Sequence, residues 1–202
     1  MKGIILLNGV APEKVNVCKD DFVVCADGAY EWAKEKNIKI DLLVGDFDSL
    51  GYIPDTLPVL RFPVEKNETD GEIAVSVLEE KGVKQIDVYG AFGKRADHFF
   101  GNVALLDFGL KKGIEVKLID DFQQISIKQG VVREKVLKNG TISLVPFDGD
   151  AHIMNSKGLF YPLDDLVLQC GSTRGISNKA TEEVIEFEVK SGKVLMFESW
   201  RD

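Results

Sequence analysis

The sequence predicts two domains: an α/β domain with a mainly parallel sheet, followed by an all-β domain that is a sandwich or a barrel. Up to about residue 122, apolar runs typical of strands alternate with segments of helical periodicity. Such alternation implies right-handed crossovers and therefore a mainly parallel sheet. After residue 122 the helical periodicity disappears, and short runs are separated by turn dipeptides.

The strands of the first domain are predicted from runs that are apolar or β-branched at successive positions. This pattern is expected where both faces of a sheet are covered. The runs are residues 3–8, 21–26, 42–45, 85–90 and 115–119.

Two helices are predicted between these strands. Ile73, Ala74, Val77 and Leu78 recur at helical spacing, and Lys81-Gly82 supplies a stop signal. A second helix carries its apolar face on Phe99, Val103, Leu106 and Leu110, and ends before Gly113.

The second domain is predicted from short strand-like runs such as TISLVPF, DLVLQC, VIEFEVK and KVLMFES. Hairpin-type dipeptides separate them: Asn139-Gly140, Asp148-Gly149 and Ser191-Gly192. We expect domains at 1–123 and 124–202, without a Gly- or Pro-rich linker between them.

Composition excludes several classes of function. The chain has 202 residues and a net charge of −8, whereas a non-specific nucleic-acid binder needs a positively charged face. Two distant histidines and three cysteines without a CxxC pair give little support to a metal site of His or Cys ligands. The short apolar N-terminus lacks a signal-peptide cleavage site, and no segment is apolar over a membrane's width, so we expect no membrane partner and a cytoplasmic location.

The most informative motif is Gly45-Asp46-Phe47-Asp48-Ser49, where an apolar strand runs into two carboxylates. In extended backbone, alternate side chains share a face, so Asp46 and Asp48 can approach one cation together. Ligands of open α/β sheets gather at the carboxyl ends of strands, and Mg²⁺ prefers carboxylate and phosphate oxygens. The alternative is that both aspartates only shape a turn.

Thr69 and Glu72 have the spacing of a capping box at a helix start. Capping explains both residues but does not require Asp70, which lies between them. A carboxylate there is a candidate third metal ligand, and the exposed amides of the same turn can hold phosphate oxygens. Both roles can coexist.

The segment from Gly90 to His98 follows a strand and opens a helix. Glycines allow close approach of a ligand, and Lys94 and Arg95 add positive charge for phosphate. The spacing is neither a P-loop nor a complete Rossmann fingerprint, so the prediction of a binding function depends on Arg95, Asp97 and His98. His98 alone is more typical of a structural role.

In the second domain, residues 170–178 form a glycine-bracketed loop that is dense in hydrogen-bonding groups. Such loops on a β scaffold are common recognition elements, and a tight hairpin is the simpler alternative. Tyr161 is either a core aromatic residue or a face for a flat ring.

Taken together in this order, the motifs resemble those of the thiamin pyrophosphokinase family over nearly the whole chain. The matching pieces are Ala26-Asp27-Gly28, Gly45 to Ser49, Thr69-Asp70, Gly93 with Arg95-x-Asp97-His98 and Asn102, Gly158-Leu159 with Tyr161-Pro162-Leu163, and Gly171-Ser172 with Gly175 to Asn178. Each piece is weak alone, but their joint order and spacing are specific.

The resemblance implies a reaction in which ATP and thiamin give AMP and thiamin diphosphate, with Mg²⁺ required. It also implies a homodimer whose active site lies where the α/β domain of one chain meets the β domain of the other. The implied catalytic residues are Asp46, Asp48, Asp70 and Asp97, the first three of which are also the implied metal ligands. The implied ATP-binding residues are Asp27, Gly28, Ser49, Thr69, Gly90, Gly93, Arg95, His98 and Asn102. The implied thiamin-binding residues are Tyr161, Ser172, Ser177 and Asn178.

Two departures from the family pattern leave the nucleotide's base preference open. Lys94 stands where a second glycine is frequent, and Ala29-Tyr30 replaces smaller residues after Gly28. The proton acceptor also stays open among Asp46, Asp70 and Asp97.

Two rival functions remain at this point. Asp46-Phe47-Asp48-Ser49 imitates the nucleophile motif of a haloacid-dehalogenase-like phosphatase, in which Asp46 would be phosphorylated. In this chain the motif follows the third predicted strand rather than the first, which argues against that reading. A non-catalytic thiamin or nucleotide sensor is the other rival, but it would not need every candidate carboxylate.

Overall fold

The computed structural model of the chain describes residues 1–47, 50–55, 57–63, 65 and 67–200. It divides into two compact units, Met1–Asp121 and Phe122–Asp202. Asp48 and Ser49, both expected in the site, lie outside the described residues. Within the described part of the chain, no helix has the length and apolar character needed to cross a membrane.

The first unit contains a parallel sheet of six strands in the order β6-β5-β1-β2-β3-β4. Its strands are β1 Gly3–Leu6, β2 Phe22–Ala26, β3 Leu42–Gly45, β4 Val59–Arg61, β5 Gln85–Tyr89 and β6 Glu115–Ile119. Its helices are α1 Tyr30–Glu35, α2 Asp70–Glu80 and α3 Ala96–Lys111. All five predicted strands and both predicted helices are confirmed, whereas α1 and the three-residue β4 were not predicted.

Helices cover both faces of this sheet, which explains why β1 is buried along its whole length. Ile4 and Leu6 belong to the same buried cluster as Ala33 of α1. Gly3 points to the opposite face, where a Cβ atom would lie 2.6 Å from a methyl group of Leu78 in α2. The continuous apolar pattern of the strand follows from this double coverage.

Helix α2 begins and ends where the sequence signals place it. Thr69 is the N-cap and forms a complete capping box with Glu72. The helix ends at Glu80, and Gly82 then takes a left-handed conformation with φ 75°. Ile73, Ala74 and Leu78 are buried as predicted.

The second unit is an antiparallel sheet in which β11 lies between β7 and β8. Its strands are β7 Gln123–Lys135, β8 Thr141–Lys157, β9 Leu166–Leu168, β10 Asn178–Lys179 and β11 Val184–Ser199. Strands β9 and β10 both pair with β8. A buried cluster that includes Leu144, Ile153, Phe187 and Met196 forms its core.

None of the three predicted dipeptides forms a hairpin turn, and two of them lie inside continuous strands. Asp148-Gly149 lies inside the continuous strand β8, and Ser191-Gly192 lies inside β11, both at places where the pairing register shifts. Asp148, Gly149 and Gly192 have φ values of 59°, 124° and 77°. A β-bulge uses the same positive-φ residues as a tight turn, so the dipeptides alone do not distinguish the two.

Asn139-Gly140 does form a turn, in which the Gly140 amide donates to the carbonyl of Leu137 at 2.9 Å. The turn connects β7 to β8, which are separated in the sheet by β11 rather than paired with each other.

Candidate active site

A cleft of about 560 Å³ lies in the first unit, at the carboxyl ends of its parallel strands. Its walls come from the segments after β1, β2 and β3, from the start of α2, and from the turn between β5 and α3. Ten of the predicted site residues line it: Asp27, Gly28, Asp46, Thr69, Asp70, Gly93, Arg95, Asp97, His98 and Asn102.

The topology of the sheet explains why the cleft forms at this place. From β1 the chain continues through β2, β3 and β4 on one side, and then returns to β5 and β6 on the other. The strand order therefore reverses between β1 and β5, and the loops that leave these two strands separate and open a crevice. Candidate phosphate-binding residues in the turn after β5 border this crevice.

Two carboxylates come from neighbouring strand ends. Ala26 pairs with Val44, so Asp27, directly after β2, and Asp46, directly after β3, lie at the same edge of the sheet. Asp27 is only 3% exposed, whereas Asp46 is half-buried. The strand-end rule correctly brings these side chains to one cleft.

The assumption of extended backbone after Asp46 is wrong at Phe47. Strand β3 ends at Gly45, and Phe47 takes a left-handed conformation with φ 66°. The Phe47 ring is buried in the core cluster shared with α1, which holds the backbone in this conformation. The backbone is therefore not extended at Phe47, so the alternation argument lacks its premise after Asp46.

Thr69 and Asp70 have separate roles at the start of α2. Thr69 Oγ1 accepts a hydrogen bond from the Glu72 amide at 3.2 Å, and the Glu72 carboxylate accepts one from the Thr69 amide at 2.8 Å. These bonds occupy the capping box, whereas Asp70, the first residue of the helix, lines the cleft. The capping box and an aspartate in the cleft wall therefore coexist at this helix start.

Arg95 and Asp97 form a bidentate ion pair where α3 begins. Arg95 Nε donates to Asp97 Oδ1 at 3.1 Å, and Nη2 donates to Oδ2 at 2.6 Å. The hydrogen bonds from Arg95 lower the pKa of Asp97 to about 2 and are assisted by the His98 amide, while Asp97 raises the pKa of Arg95. Both side chains are exposed, so they are accessible to a ligand in the cleft.

Asn102 and Gly90 have packing roles beside any role in binding. The Asn102 amide group donates to the Ala91 carbonyl at 2.8 Å and so fastens the turn to α3. Gly90 does not line the cleft; it has φ 70°, and a Cβ atom there would lie 2.2 Å from the Leu7 carbonyl oxygen. Only glycine allows the turn to pass this close to the end of β1.

Asn8 lines the cleft and was missed at the level of sequence. It follows β1, and its Oδ1 accepts a hydrogen bond from Lys94 Nζ at 2.8 Å. The signal was available, because Asn8-Gly9 stands at a strand's carboxyl end as Asp27 and Asp46 do.

The donor chemistry of the cleft fits Mg²⁺. No group of three or more His, Cys, Asp or Glu side chains among the described residues has the geometry of a metal site, and Asp48 lies outside them. Mg²⁺ commonly takes only one or two carboxylates and completes its shell with water and substrate phosphates. Asp27, Asp46 and Asp70 supply oxygens of this kind to one cleft.

In the second unit, Asn178 is bound to the backbone on both sides of Tyr161. The Tyr161 amide donates to Asn178 Oδ1 at 3.0 Å, and Asn178 Nδ2 donates to the Tyr161 carbonyl at 2.7 Å. Asn178 is 6% exposed, whereas Tyr161 is 61% exposed and packs edge-on against Phe160. The buried amide thus holds an exposed aromatic side chain in place.

Ser172 and Ser177 lie in the loop that the sequence marked as a recognition element. Ser172 Oγ accepts from the Arg174 amide at 3.3 Å, which tightens the turn. Ser177 is exposed with φ 62°, and its amide donates to Ser143 Oγ at 3.0 Å. The loop is an ordered turn carrying exposed hydroxyl groups.

Comparison with known proteins gives matches over both units. Residues 16–118 match the family model for the thiamin pyrophosphokinase catalytic domain, and residues 123–194 match the model for its vitamin B1 binding domain. The chain belongs to the thiamin pyrophosphokinase family. The catalytic-domain match contains most of the cleft, and the vitamin B1 binding match contains Tyr161, Ser172, Ser177 and Asn178.

Individual thiamin pyrophosphokinases agree with this assignment. The chain is 35% identical over 163 residues to thiamine pyrophosphokinase of Bacillus subtilis, covering 77% of this chain and 76% of the relative. A crystal structure of thiamine pyrophosphokinase from Bacillus subtilis matches with a TM-score of 0.88 and 26% identity, over 100% of both chains. Thiamin pyrophosphokinase from Geobacillus thermodenitrificans matches with a TM-score of 0.83 and 26% identity, over 98% of this chain and 97% of that one. These matches identify the chain as an enzyme and give no support to the phosphatase or the sensor.

Proposed function

We propose that the chain transfers the pyrophosphoryl group of ATP to the hydroxyl group of thiamin, giving thiamin diphosphate and AMP, and that it requires Mg²⁺. The observation that carries this proposal is the meeting of Asp27, Asp46 and Asp70 with Arg95 in a single cleft. Carboxylates for a divalent ion and a guanidinium for phosphate oxygens are the groups that phosphoryl-type transfer needs.

The reaction proceeds by direct in-line attack. The thiamin hydroxyl oxygen forms a bond to the β-phosphorus of ATP, the bond from that phosphorus to the α,β-bridging oxygen breaks, and AMP leaves with that oxygen. The hydroxyl proton passes to a carboxylate. The protein contributes chiefly by positioning the two substrates and by stabilising the charge on the transferred group.

Asp46 and Asp70, with Asp48 as the resemblance implies, are the residues that would hold Mg²⁺, and Asp27 lies beside them. When bound, the ion would offset the negative charge of the phosphate oxygens. Arg95 adds a planar cation that can bind two phosphate oxygens at once. Gly28, Thr69, Gly93, His98 and Asn102 complete the proposed nucleotide site, with Ser49 as the resemblance implies. Gly90 supports this site from outside the cleft, because it lets the turn after β5 pass close to the end of β1.

The contacts of Asp97 bear on the choice of proton acceptor. Both of its carboxylate oxygens accept hydrogen bonds from Arg95, at 3.1 and 2.6 Å. We therefore assign Asp97 to holding the Arg95 guanidinium in position, and we propose Asp46 or Asp70 as the acceptor of the hydroxyl proton.

The second unit is proposed to bind thiamin through Tyr161, Ser172, Ser177 and Asn178. Tyr161 offers an exposed aromatic face for a flat ring, and the two serines offer hydroxyl groups. Asn178 contributes by fixing the backbone of Tyr161 from both sides. Replacing Tyr161 by alanine should raise the KM for thiamin while leaving the KM for ATP unchanged.

The domain layout and the assembly are also proposals. We assign residues 1–123 to a catalytic domain and 124–202 to a thiamin-binding β-sandwich. We further propose a homodimer with its active site at the subunit interface. Sedimentation equilibrium should give twice the chain's 22.4 kDa, and a monomer mass at assay concentrations would contradict the dimer.

Asp46→Asn and Asp70→Asn test the proposed mechanism. Each should lower turnover by orders of magnitude at an unchanged far-UV circular dichroism spectrum, because the charge lost is the one directed at the metal and phosphates. Near-normal AMP production by both variants would reject the carboxylate cluster. Trapping a phosphoryl group on Asp46 of the wild type would instead support the phosphatase mechanism.

A further inference from the structure

Lys94 occupies a backbone conformation that suits lysine poorly. It lies in the turn between β5 and α3 with φ 55°, directly after Gly93 with φ 77°. A left-handed conformation disfavours any residue with a Cβ atom, and glycine would adopt it without strain. The side chain therefore brings something to this position that glycine would not.

The side chain of Lys94 is held at the rim of the cleft. Its ammonium group donates to Asn8 Oδ1 at 2.8 Å, and both residues line the cleft. Asn8 is itself confined, because a Cβ atom on Gly28 would lie 2.1 Å from Asn8 Nδ2. The contact thus joins the ends of β1 and β5 across the point where the strand order reverses.

Lys94 and Arg95 differ in the charge of the group that each contacts in the cleft. Among the lining residues that the structure describes, Lys94 and Arg95 carry the permanent positive charges, and Asp27, Asp46, Asp70 and Asp97 carry the negative ones. The charge of Arg95 is offset by its ion pair with Asp97, whereas the hydrogen-bond acceptor of Lys94 is a neutral amide. Lys94 therefore brings to the cleft wall a positive charge whose hydrogen-bond partner, Asn8, is neutral.

We propose that Lys94 binds the phosphate groups of the nucleoside triphosphate and that Asn8 positions its ammonium group for this contact. The inference rests on the proposed function and adds a residue that contributes to triphosphate affinity in this chain. Lysine is suited to the task as a compact charge with three donors, of which Asn8 occupies one.

The test is calorimetric titration of the full chain with ATP and, separately, with inorganic tripolyphosphate, both with Mg²⁺ and without thiamin. Lys94→Gln should weaken binding of both probes about tenfold, the usual value of a charge-assisted hydrogen bond. Lys94→Arg should recover much of the loss, and the wild type should lose affinity with added NaCl more steeply than Lys94→Gln. Lys84→Gln is the matched control, because Lys84 is exposed and precedes β5 at the opposite end of the strand.

Asn8→Ala tests the positioning role. It should weaken binding of both probes, and the double variant with Lys94→Gln should bind no more weakly than Lys94→Gln alone, because both changes remove the same interaction. Additive losses would contradict a positioning role for Asn8.

Other outcomes would overturn the proposal. Unchanged affinity in Lys94→Gln, an equal loss in Lys84→Gln, or a loss for ATP without a loss for tripolyphosphate would each exclude a phosphate contact by Lys94. A wild type that binds both probes but forms no AMP with thiamin would overturn only the proposed function. A wild type that binds neither probe would overturn both.

Discussion

Arg95 donates hydrogen bonds to both carboxylate oxygens of Asp97, two positions later in the chain, with nitrogen–oxygen distances of 3.1 and 2.6 Å. The pair stands where α3 begins and lines the cleft. Because the guanidinium stabilises the ionised carboxylate, it lowers the pKa of Asp97 and extends its ionised state further into the acidic range.

Carboxyl ¹³C chemical shifts, followed through a pH titration, should show this directly. The pKa of Asp97 should be about 2, compared with the ordinary 3.8. Since the folded-state pKa is the lower one, the pair's contribution to stability is present above pH 3.8 and is lost as the pH falls towards 2. Arg95→Gln should return the pKa towards 3.8, and an ordinary value in the wild type would refute the pairing.

Thr69 and Asp70 are adjacent residues, and we expect their substitution to have different effects on stability and turnover. Thr69→Ala removes the cap of α2 and should lower the free energy of unfolding by about 1 kcal/mol. Asp70→Asn keeps the capping box, so it should change stability little while lowering turnover by orders of magnitude. Urea unfolding and AMP production, measured on both variants, separate the two roles. If both variants lost the same turnover and had the same stability, Thr69 and Asp70 would not have separate roles in capping and catalysis.

Gly45, the last residue of β3, lies directly against Asp27. A Cβ atom there would lie 2.5 Å from the Cβ of Asp27, and the residue has φ 153°. Gly45→Ala should lower the free energy of unfolding by about 2 kcal/mol through overpacking, and should also lower turnover because Asp27 is displaced.

Gly82→Ala is the control for Gly45→Ala. Gly82 also has a positive φ, 75°, but a Cβ atom there meets nothing within 4 Å. Its substitution should cost about 1 kcal/mol from backbone strain alone and leave turnover intact. If Gly82→Ala lowered turnover as much as Gly45→Ala, the effect would come from general destabilisation rather than from Asp27.

The three cysteines should differ in reactivity. Cys18 and Cys170 are exposed, whereas Cys25 is buried in β2. Burial, followed by the nearby charge of Asp27, raises the pKa of the Cys25 thiol far above neutrality, so its reactive thiolate is scarce. Ellman's reagent should modify two thiols in the native protein and the third only after unfolding. Rapid modification of all three would contradict the packing of β2.

The strands and helices of the first unit were predictable because their signals are local. Strands β1, β2 and β3 consist of apolar residues and glycine, and α2 has its capping box and its glycine stop within or directly beside its own segment. Strand β4 was missed because it has three residues, two of them exposed, and therefore shows no apolar pattern. Its place depends on pairing with β3, which local sequence does not encode.

The second unit shows the limit of turn signals. Asp148-Gly149 and Ser191-Gly192 have the composition of hairpin turns, yet each lies within a strand as an irregularity. Both settings need residues that tolerate positive φ. Which one occurs depends on whether the following residues pair with the same neighbouring strand, and this is a property of the whole sheet.

The candidate site was predictable to the extent that strand ends define it. Asp27, Asp46 and Asp70 reach one cleft because parallel strands and the following helix present their ends at one edge. Asn8 was missed although it also stands at a strand end. Its contact with Lys94 was not predictable, since 86 positions separate the two residues and only the folded sheet brings them together. The left-handed conformation of Phe47 was also not predictable, because bulky residues rarely adopt a positive φ.

Analysis of the reaction products is the decisive test of pyrophosphoryl transfer. The wild-type protein is incubated with ATP, Mg²⁺ and thiamin, and the products are identified by mass and quantified over time. Pyrophosphoryl transfer predicts AMP and thiamin diphosphate in equal amounts, with no accumulation of ADP or thiamin monophosphate. Equal amounts of ADP and thiamin monophosphate, or thiamin binding without formation of AMP, would contradict it.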